Sequence, residues 1–202
     1  RVLLLIVSLC AAMVCSAQNE KYVNLFLGTS GDHGQMSPAA AVPFGAIAVG
    51  PDSSPGSHVG YDYAEPTVSG VSINRVSGVG CSGTGCNLSV KPALASDVLK
   101  IVKGTEKAYP GYYETMFDNG VKGEFTATKN MAVERYTFPK EGRRLLYVNF
   151  LASVDTHNVA AAYEVKSDTE INGHVDSPTA CSRGSYRLYF NFNVNCPFKV
   201  VE

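Results

Sequence analysis

The sequence predicts an all-β protein whose strands form an antiparallel β-sandwich. Apolar and polar residues alternate along several short segments, the pattern of strands with one buried face. Beyond the first seventeen residues, no window of a dozen residues has the i, i+3, i+4, i+7 apolar spacing of an amphipathic helix. Turn formers are frequent, since 19 glycines and 10 prolines punctuate the chain.

The clearest predicted strand lies near the C-terminal end. Its apolar residues are Tyr186, Leu188, Phe190, Phe192, Val194 and Cys196, and they alternate with Arg187, Tyr189, Asn191, Asn193 and Asn195. A period of two places each set on its own face of the strand. We therefore expect one buried face and one polar face.

The same test predicts five earlier strands. They span residues 98–102, 123–128, 133–138, 145–151 and 160–165, with turn signals at Asp118-Asn119-Gly120 and Glu141-Gly142. Short strands at roughly 8–12-residue spacing are typical of a sandwich or barrel. Residues 27–89 are instead rich in Gly, Ser and Pro with only brief apolar runs, and we expect long ordered loops that carry function.

Composition excludes several classes of protein. The 202 residues are 45% hydrophobic and 17% charged, which suits a single buried core and argues against intrinsic disorder. The formal net charge is −1, and the chain contains no run of lysines or arginines. We therefore expect no nucleic-acid partner.

The N-terminus resembles a secretory signal peptide. An apolar run from Val2 to Val14 is followed by the small residues Ser16 and Ala17, the order of a signal peptide and its cleavage site. The run is shorter than the ~20 apolar residues needed to cross a bilayer. We expect residues 1–17 to be removed, leaving a domain of residues 18–202 exported to the periplasm or cell exterior, with no membrane span.

Two further expectations concern the mature chain. It ends at Glu202 directly after a predicted strand, and we expect the domain to be truncated there. Its four cysteines, Cys81, Cys86, Cys181 and Cys196, can form disulfides in an oxidising compartment, and the sequence leaves all three pairings open. Their spacing does not favour a zinc site.

Few residues carry a chemical signal by themselves. Residues 78–83 match the G-x-G-x-x-G dinucleotide pattern, but the segment that follows is extended rather than helical, so the pattern indicates a tight loop or close backbone approach to a ligand. His33 lies between glycines in the long loop region, while Asp52 is an isolated carboxylate there. From residue chemistry alone, the chain is an exported β-sandwich with a candidate ligand-binding edge.

Several ordered strings give the chain a recognisable pattern. They are Tyr22-Val23-Asn24-Leu25-Phe26-Leu27-Gly28-Thr29, Ala41-Val42-Pro43-Phe44-Gly45, Gly50-Pro51-Asp52, Gly70-Val71-Ser72-Ile73-Asn74-Arg75-Val76-Ser77-Gly78-Val79-Gly80-Cys81, Pro110-Gly111-Tyr112-Tyr113 and Arg135-Tyr136-Thr137-Phe138-Pro139. In this order they resemble the N-terminal domain of bacterial glycoside hydrolase family 92 α-mannosidases.

The resemblance implies a two-domain enzyme in which this sandwich packs on a C-terminal (α/α)₆ barrel missing from the chain. Such enzymes are exo-acting and inverting, and they use calcium to bind and distort a terminal mannose. Their catalytic acid and base and most calcium ligands belong to the helical domain. This chain would then hold no catalytic or metal-binding residue, and its partners would be mannose-containing glycans and its own helical domain.

The resemblance also implies a set of substrate-binding residues on loops of the sandwich. They are His33, Phe44, Gly45, Asp52, Arg75, Gly80 and Cys81. Arg75 stands in a segment where many family members carry histidine, which leaves the linkage preference open. Two alternatives to the enzyme are a purely structural exported domain and a non-catalytic carbohydrate-binding sandwich, in which exposed Tyr61, Tyr63, Tyr112 and Tyr113 would stack on sugars.

Overall fold

The computed structural model describes residues 19–31, 35–53, 59–76, 85–154, 159–179, 181 and 183–201. These residues form two 3₁₀ helices, η1 (Asn19–Tyr22) and η2 (Lys103–Thr105). They also form thirteen strands: β1 (Ala40–Ala41), β2 (Ala48–Ser53), β3 (Thr67–Ser72), β4 (Ser89–Lys91), β5 (Leu99–Lys100), β6 (Lys107–Tyr109), β7 (Tyr112–Met116), β8 (Lys122–Ala127), β9 (Ala132–Thr137), β10 (Tyr147–Asn149), β11 (Ala160–Val165), β12 (Glu170–Pro178) and β13 (Ser185–Asn193).

The strands form three antiparallel sheets. The first has six strands in the order β1-β2-β3-β4-β10, with β5 paired to β3. The second is the four-stranded meander β6-β7-β8-β9, and the third is β11-β12-β13. No α-helix occurs among the described residues, and the predicted all-β antiparallel fold is confirmed.

The core lies where the first sheet packs on the second, with β1 and β2 against β7, β8 and β9. Phe117 and Phe125, each only 1% exposed, supply its largest apolar surfaces together with Val49 and Val71 of the first sheet. Burying each such side chain contributes about 1.5–3 kcal/mol to stability. This core holds both sheets as one sandwich.

Most of the predicted strands are confirmed, and β11 has the predicted bounds. Residues 27–89, however, contain β1, β2 and β3 rather than loops alone, so the expectation for that segment is wrong in part. Strands β2 and β3 are buried along most of their length, and a strand buried on both faces shows no alternation. Pro51 and Gly70, which lie inside them, weaken the strand signal further.

The last strand also differs from its prediction. Strand β13 alternates between exposed and half-buried residues, so its apolar side forms no fully buried face. Phe150 covers part of that side by stacking on Tyr163 and Phe190, with ring centroids 4.5 and 5.4 Å apart. The strand ends at Asn193, and Val194 and Cys196 lie beyond it.

Within the described ranges, no helix has the length and hydropathy of a membrane span.

Candidate functional site

A buried ion pair links β2 to the segment that follows β3. Asp52 is near the end of β2, and Arg75 follows β3, the neighbouring strand. Arg75 Nη2 lies 3.0 Å from Asp52 Oδ1, and the Arg75 side chain is fully enclosed while that of Asp52 is 9% exposed. Ser72 Oγ donates to the same Asp52 oxygen at 2.9 Å and accepts from Arg75 Nη2 at 3.1 Å.

The guanidinium of Arg75 also holds the backbone of β2. Its Nη2 donates to the carbonyl of Gly50 at 2.5 Å, and its Nη1 donates to the carbonyl of Pro51 at 3.0 Å. Only arginine carries donors in a planar fork that can bind several acceptors at once. Arg75 therefore fixes the main chain of β2 at Gly50 and Pro51.

Burial and charge oppose each other at Asp52. Burial raises the pKa of the Asp52 carboxyl above its ordinary value, and the Arg75 guanidinium acts in the opposite direction. Removing a carboxylate from water is costly unless it is paired and hydrogen-bonded. The contacts with Arg75 and Ser72 meet that requirement. The enclosed Asp52 carboxylate therefore holds Arg75 and Ser72 in place and is not positioned to activate water.

Two loop ends are fastened directly to Arg75. Ser37, which follows the segment 32–34, accepts from Arg75 Nη1 at 3.2 Å. The carbonyl of Val59, which follows the segment 54–58, accepts from the same nitrogen at 3.4 Å. Ser37 and Val59 therefore both lie beside the ion pair.

Two more loop ends lie beside them. Arg75 itself pairs with Gly85 in an isolated β-bridge, and these residues flank the segment 77–84. Val154, which precedes the segment 155–158, donates its N–H to the carbonyl of Gly85 at 3.2 Å. Residues that flank four segments, 32–34, 54–58, 77–84 and 155–158, therefore lie at or beside Arg75, and we call this arrangement the loop edge.

Cys86 fills the space beneath the loop edge. It is buried and carries a free thiol, its backbone φ is 58°, and its Sγ lies 3.7 Å from the carbonyl oxygen of Val59. Burial raises the pKa of the thiol, and the nearby charge of Asp52 raises it further. Cys181 is disulfide-bonded, whereas Cys196 is free and exposed.

Asn87 fastens the third sheet to the loop edge. Its Nδ2 donates to the carbonyl of Ala152 at 2.8 Å and to Ser177 Oγ of β12 at 3.3 Å. Tyr186 of β13 donates its hydroxyl to Asn87 Oδ1, and the Asn87 N–H donates to Asn74 Oδ1 at 2.9 Å. Since Asn87 is completely buried, this network fixes the third sheet beside the loops.

A separate turn presents an exposed aromatic ring. Gly45 donates its N–H to the carbonyl of Val42 at 3.0 Å, which closes a turn around Pro43 and Phe44. Phe44 has a φ of 58° and a side chain that is 101% exposed. A bulky residue at positive φ is an outlier, and strain of this kind clusters at functional sites.

The predicted site residues fall into three groups. Asp52 and Arg75 are in direct contact, with both side chains turned inward. Phe44 and Gly45 lie on the turn before β2, which is hydrogen-bonded to Lys129 through the N–H of Ala46 at 2.8 Å. His33, Gly80 and Cys81 lie outside the described residues, as does the glycine pattern at residues 78–83.

The predicted tyrosine platform is wrong for two of its four members. Tyr61 and Tyr113 are completely buried, and their hydroxyls donate to Glu106 Oε1 at 2.6 and 2.7 Å. A buried carboxylate that accepts both hydroxyls makes them part of the core. Tyr63 is 43% exposed, and Tyr112, which is half-buried, donates to Glu114 Oε2 at 2.6 Å.

Sequence reasoning missed the residues that support the ion pair. Ser72 and Asn87 appear in the sequence only as isolated polar residues, and their partners are up to 99 positions away, as with Tyr186 and Asn87. The available signal is local: Asn74 and Asn87 flank the glycine-rich segment. Nothing in their spacing indicates that they would pair across it.

The described residues do not form a metal site by themselves. No group of three or more His, Cys, Asp or Glu side chains lies close enough together in these ranges to hold an ion. Oxygen-ligating cations such as calcium need six to eight ligands. Asp52, the one carboxylate at the loop edge, is already paired with Arg75.

The described residues form an antiparallel β-sandwich, an architecture that serves many functions, and comparison with known proteins identifies its family. Residues 22–202 match the sequence model of the glycosyl hydrolase family 92 N-terminal domain. The chain belongs to this family.

Solved structures share the fold. The family GH92 glycosyl hydrolase ccman5 is 27% identical, with a TM-score of 0.76 over 86% of this chain and 26% of that one. A family GH92 α-mannosidase from Bacteroides thetaiotaomicron, also solved with mannoimidazole, is 25% identical, with a TM-score of 0.73 over 85% of this chain and 25% of its own.

The chain is also similar in sequence to a protein described as a glycosidase. A protein of Arthroderma benhamiae described as an uncharacterized secreted glycosidase is 24% identical over 168 residues, which cover 74% of this chain and 22% of the relative. The chain therefore spans about a quarter of the length of the proteins it matches.

Proposed function

We propose that this chain is the N-terminal domain of an inverting exo-α-mannosidase, and that its loop edge contributes to the pocket for the terminal mannose. The observation that carries the proposal is the family membership of residues 22–202. It is supported by the structural likeness to an α-mannosidase that has been solved with mannoimidazole.

The loop edge suits a part in binding rather than in bond cleavage. Inverting hydrolysis needs one carboxylic acid to protonate the leaving oxygen and one carboxylate to activate water, about 6.5–9.5 Å apart. Asp52 is enclosed and paired with Arg75, so it cannot deliver water to a sugar. In this proposal the acid and base belong to the C-terminal helical domain, as the family resemblance implies, and that domain is the partner on which this one would pack.

Arg75 would act on the substrate indirectly. It holds the carbonyls of β2 and the flanking residues of the loops in one fixed arrangement. A substrate is held in a reactive geometry only when the supporting groups are themselves rigid. His33, Gly80 and Cys81 would then contact the sugar from these loops, and Phe44 would offer its exposed ring from the turn before β2.

Calcium is the cofactor that the family resemblance implies. The described residues contain no set of three metal-ligating side chains and do not fit a complete calcium site. As the family resemblance implies, the proposal places its ligands mainly in the helical domain, and we assign no chemical step to the ion. Export through a signal peptide at residues 1–17 also belongs to the proposal, and the secreted glycosidase to which the chain is similar supports it.

The experiment is an assay of the full-length protein on α-linked mannobiose, followed by proton NMR. Mannose should be released, and β-mannose should appear first because single displacement inverts the anomeric centre. Residues 18–202 expressed alone serve as the control and should be inactive. Release of α-mannose as the first product would exclude inversion, and failure to cleave any α-mannoside would overturn the proposed function.

A further inference from the structure

The third sheet has a polar face that the proposed function does not use. Residues opposite one another in an antiparallel sheet share a face. Ala162, His174 and Tyr189 lie in one such row across β11, β12 and β13, and Glu164, Asn172 and Asn191 lie in the next. This face therefore carries two rings and three polar side chains around one alanine.

An open depression of about 460 Å³ lies on this sheet. It is lined by Ala162, Tyr163, Glu164, Asn172, Gly173, His174, Tyr189 and Phe190. On the opposite face the ring of Phe150 stacks on Tyr163 and Phe190, so the depression opens on the polar side. The small side chain of Ala162 leaves room between the two rows.

The walls of this sheet depression include an exposed aromatic ring. Tyr189 is 72% exposed, and its ring lies beside that of His174, with centroids 5.8 Å apart and planes inclined by 51°. The Tyr189 ring contributes little to the core, and an aromatic ring with a polar hydroxyl offers both an apolar face and a hydrogen-bonding group to a ligand. The Glu164 carboxylate lies in the adjoining row.

Neighbouring side chains are held in place before any ligand arrives. Asn191 Nδ2 donates to Asn172 Oδ1 at 2.6 Å and to Glu170 Oε1 at 2.7 Å. Arg187 binds Asp176 through two hydrogen bonds of 2.6 and 2.7 Å. Such pre-organisation lowers the entropic cost of binding.

The chemistry of this surface selects a neutral polyol. The carboxylates of Glu164, Glu170 and Asp176 do not favour an anion, and two cations beside them are already paired, Lys166 with Glu164 at 2.5 Å and Arg187 with Asp176 at 2.6 Å. Sugar hydroxyls can donate to a carboxylate and accept from an amide or imidazole, and the apolar side of a sugar ring can pack on tyrosine. A volume within the ~300–1,000 Å³ of small-molecule sites accommodates one or two hexose units.

We propose that the sheet depression binds a hexose unit of the glycan substrate, with Tyr189 packed on the sugar ring and Glu164, Asn172 and His174 bonded to its hydroxyls. The choice of mannose as the hexose rests on the proposed function. The site would retain a branched or polymeric glycan on the enzyme between successive cleavages.

The test is calorimetric titration of the full-length protein with thio-linked α-mannobiose, which cannot be hydrolysed. We expect two binding sites in the wild type and one in the Tyr189→Ala variant, whose affinity at the sheet depression should fall by about tenfold or more. Ala162→Leu, which fills the depression without adding a ring, should have the same effect. Tyr109→Ala, which removes a 46% exposed tyrosine from another sheet, should retain two sites.

The outcomes separate this proposal from the proposed function. A change from one site to none in Tyr189→Ala would support the sheet depression and count against a mannose pocket elsewhere. An unchanged number of sites in both Tyr189→Ala and Ala162→Leu would overturn the sheet depression, as would a wild type that binds no mannobiose. Hydrolysis of p-nitrophenyl α-mannoside by the wild type, measured in parallel, reports the mannosidase activity independently.

Discussion

Arg75 and Asp52 form an enclosed ion pair in which one guanidinium nitrogen, Nη2, contacts both the Asp52 carboxylate at 3.0 Å and the main-chain carbonyl of Gly50. Arg75 therefore binds both the side-chain charge and the main chain of β2, the strand that carries Asp52. Removing either partner would leave the other buried without an opposite charge. The stability of the loop edge and its geometry thus depend on the same contact.

The first prediction concerns Arg75. Arg75→Met should destabilise the protein by about 3–5 kcal/mol, because Asp52 and several carbonyls lose their donor. Urea denaturation measures the loss. Arg135→Met is the matched control, since Arg135 pairs with Glu124 while its side chain remains 70% exposed, and exposed pairs contribute about 0–1 kcal/mol. If both variants lost the same free energy of unfolding, Arg75 would not hold β2 more firmly than an exposed ion pair does.

The second prediction concerns Gly60, which packs against the ion pair. Its φ is +80°, and an added Cβ would lie 2.9 Å from Asp52 Oδ1 and collide with Cys86 Sγ. Gly60→Ala therefore combines an unfavourable backbone conformation with steric overlap in a closed space. We expect a loss of about 3 kcal/mol or more in the free energy of unfolding.

Gly142 offers the matched control for this substitution. Its φ is +104°, but nothing lies within 4 Å of the position of an added Cβ. Gly142→Ala should therefore show the backbone cost alone, about 1–2 kcal/mol. If the two variants unfold at the same urea concentration, the space beneath the loop edge is more adaptable than the structure indicates.

The sequence allowed β8 and β9 to be predicted better than β2 and β3. Strands such as β8 and β9 expose one face to water, so burial leaves a period of two in the sequence. Strand β2 is buried on both faces and contains Pro51, which removes that period and resembles a loop. Burial on both faces and the strand's own Pro51 together hid β2 from recognition in the sequence.

The site was predicted as a set of residues but not as an arrangement. Resemblance to a family pointed to Asp52 and Arg75, yet their contact depends on the pairing of β2 with β3, which no local pattern encodes. Tyr61 shows the converse: nothing in its sequence context reveals that Glu106, 45 positions away, accepts its hydroxyl within the core. Contacts between distant residues arise only from the complete fold.

The third prediction concerns pH. Burial raises the pKa of Glu134 to about 8, although a hydrogen bond from Tyr136 opposes the shift. The folded state then keeps a proton that the unfolded chain releases near its ordinary pKa of 4.5. This group therefore makes stability fall as pH rises from about 4.5 to about 8, with no further change above that.

Glu134→Gln should remove this part of the pH dependence, since its amide stays neutral. The difference in urea midpoint between variant and wild type should grow in favour of the variant from pH 5 to pH 8. Glu141→Gln, in an exposed turn, is the control and should follow the wild type. A constant difference across this range would mean that Glu134 is ionised in the folded protein at pH 5.

The fourth prediction concerns Phe44, where strain and exposure coincide. Its φ is 58° and its side chain is 101% exposed, so the ring contributes nothing to the core and the backbone bears a conformational cost of about 1–2 kcal/mol. Phe44→Gly relieves that cost, and Phe44→Ala retains it. Phe44→Gly should therefore be more stable than Phe44→Ala by about 1 kcal/mol in urea denaturation.

Both Phe44 variants should share a loss of activity if the ring contacts the substrate. In the full-length enzyme we expect kcat/KM for an α-mannoside to fall by about tenfold or more, which corresponds to about 1.4 kcal/mol of lost transition-state stabilisation. Because the two variants differ in stability and lack the same ring, an equal loss assigns the effect to the aromatic side chain. Wild-type kcat/KM in Phe44→Gly would exclude Phe44 from the proposed mannose pocket, and equal stability of the two variants would show that the turn is unstrained.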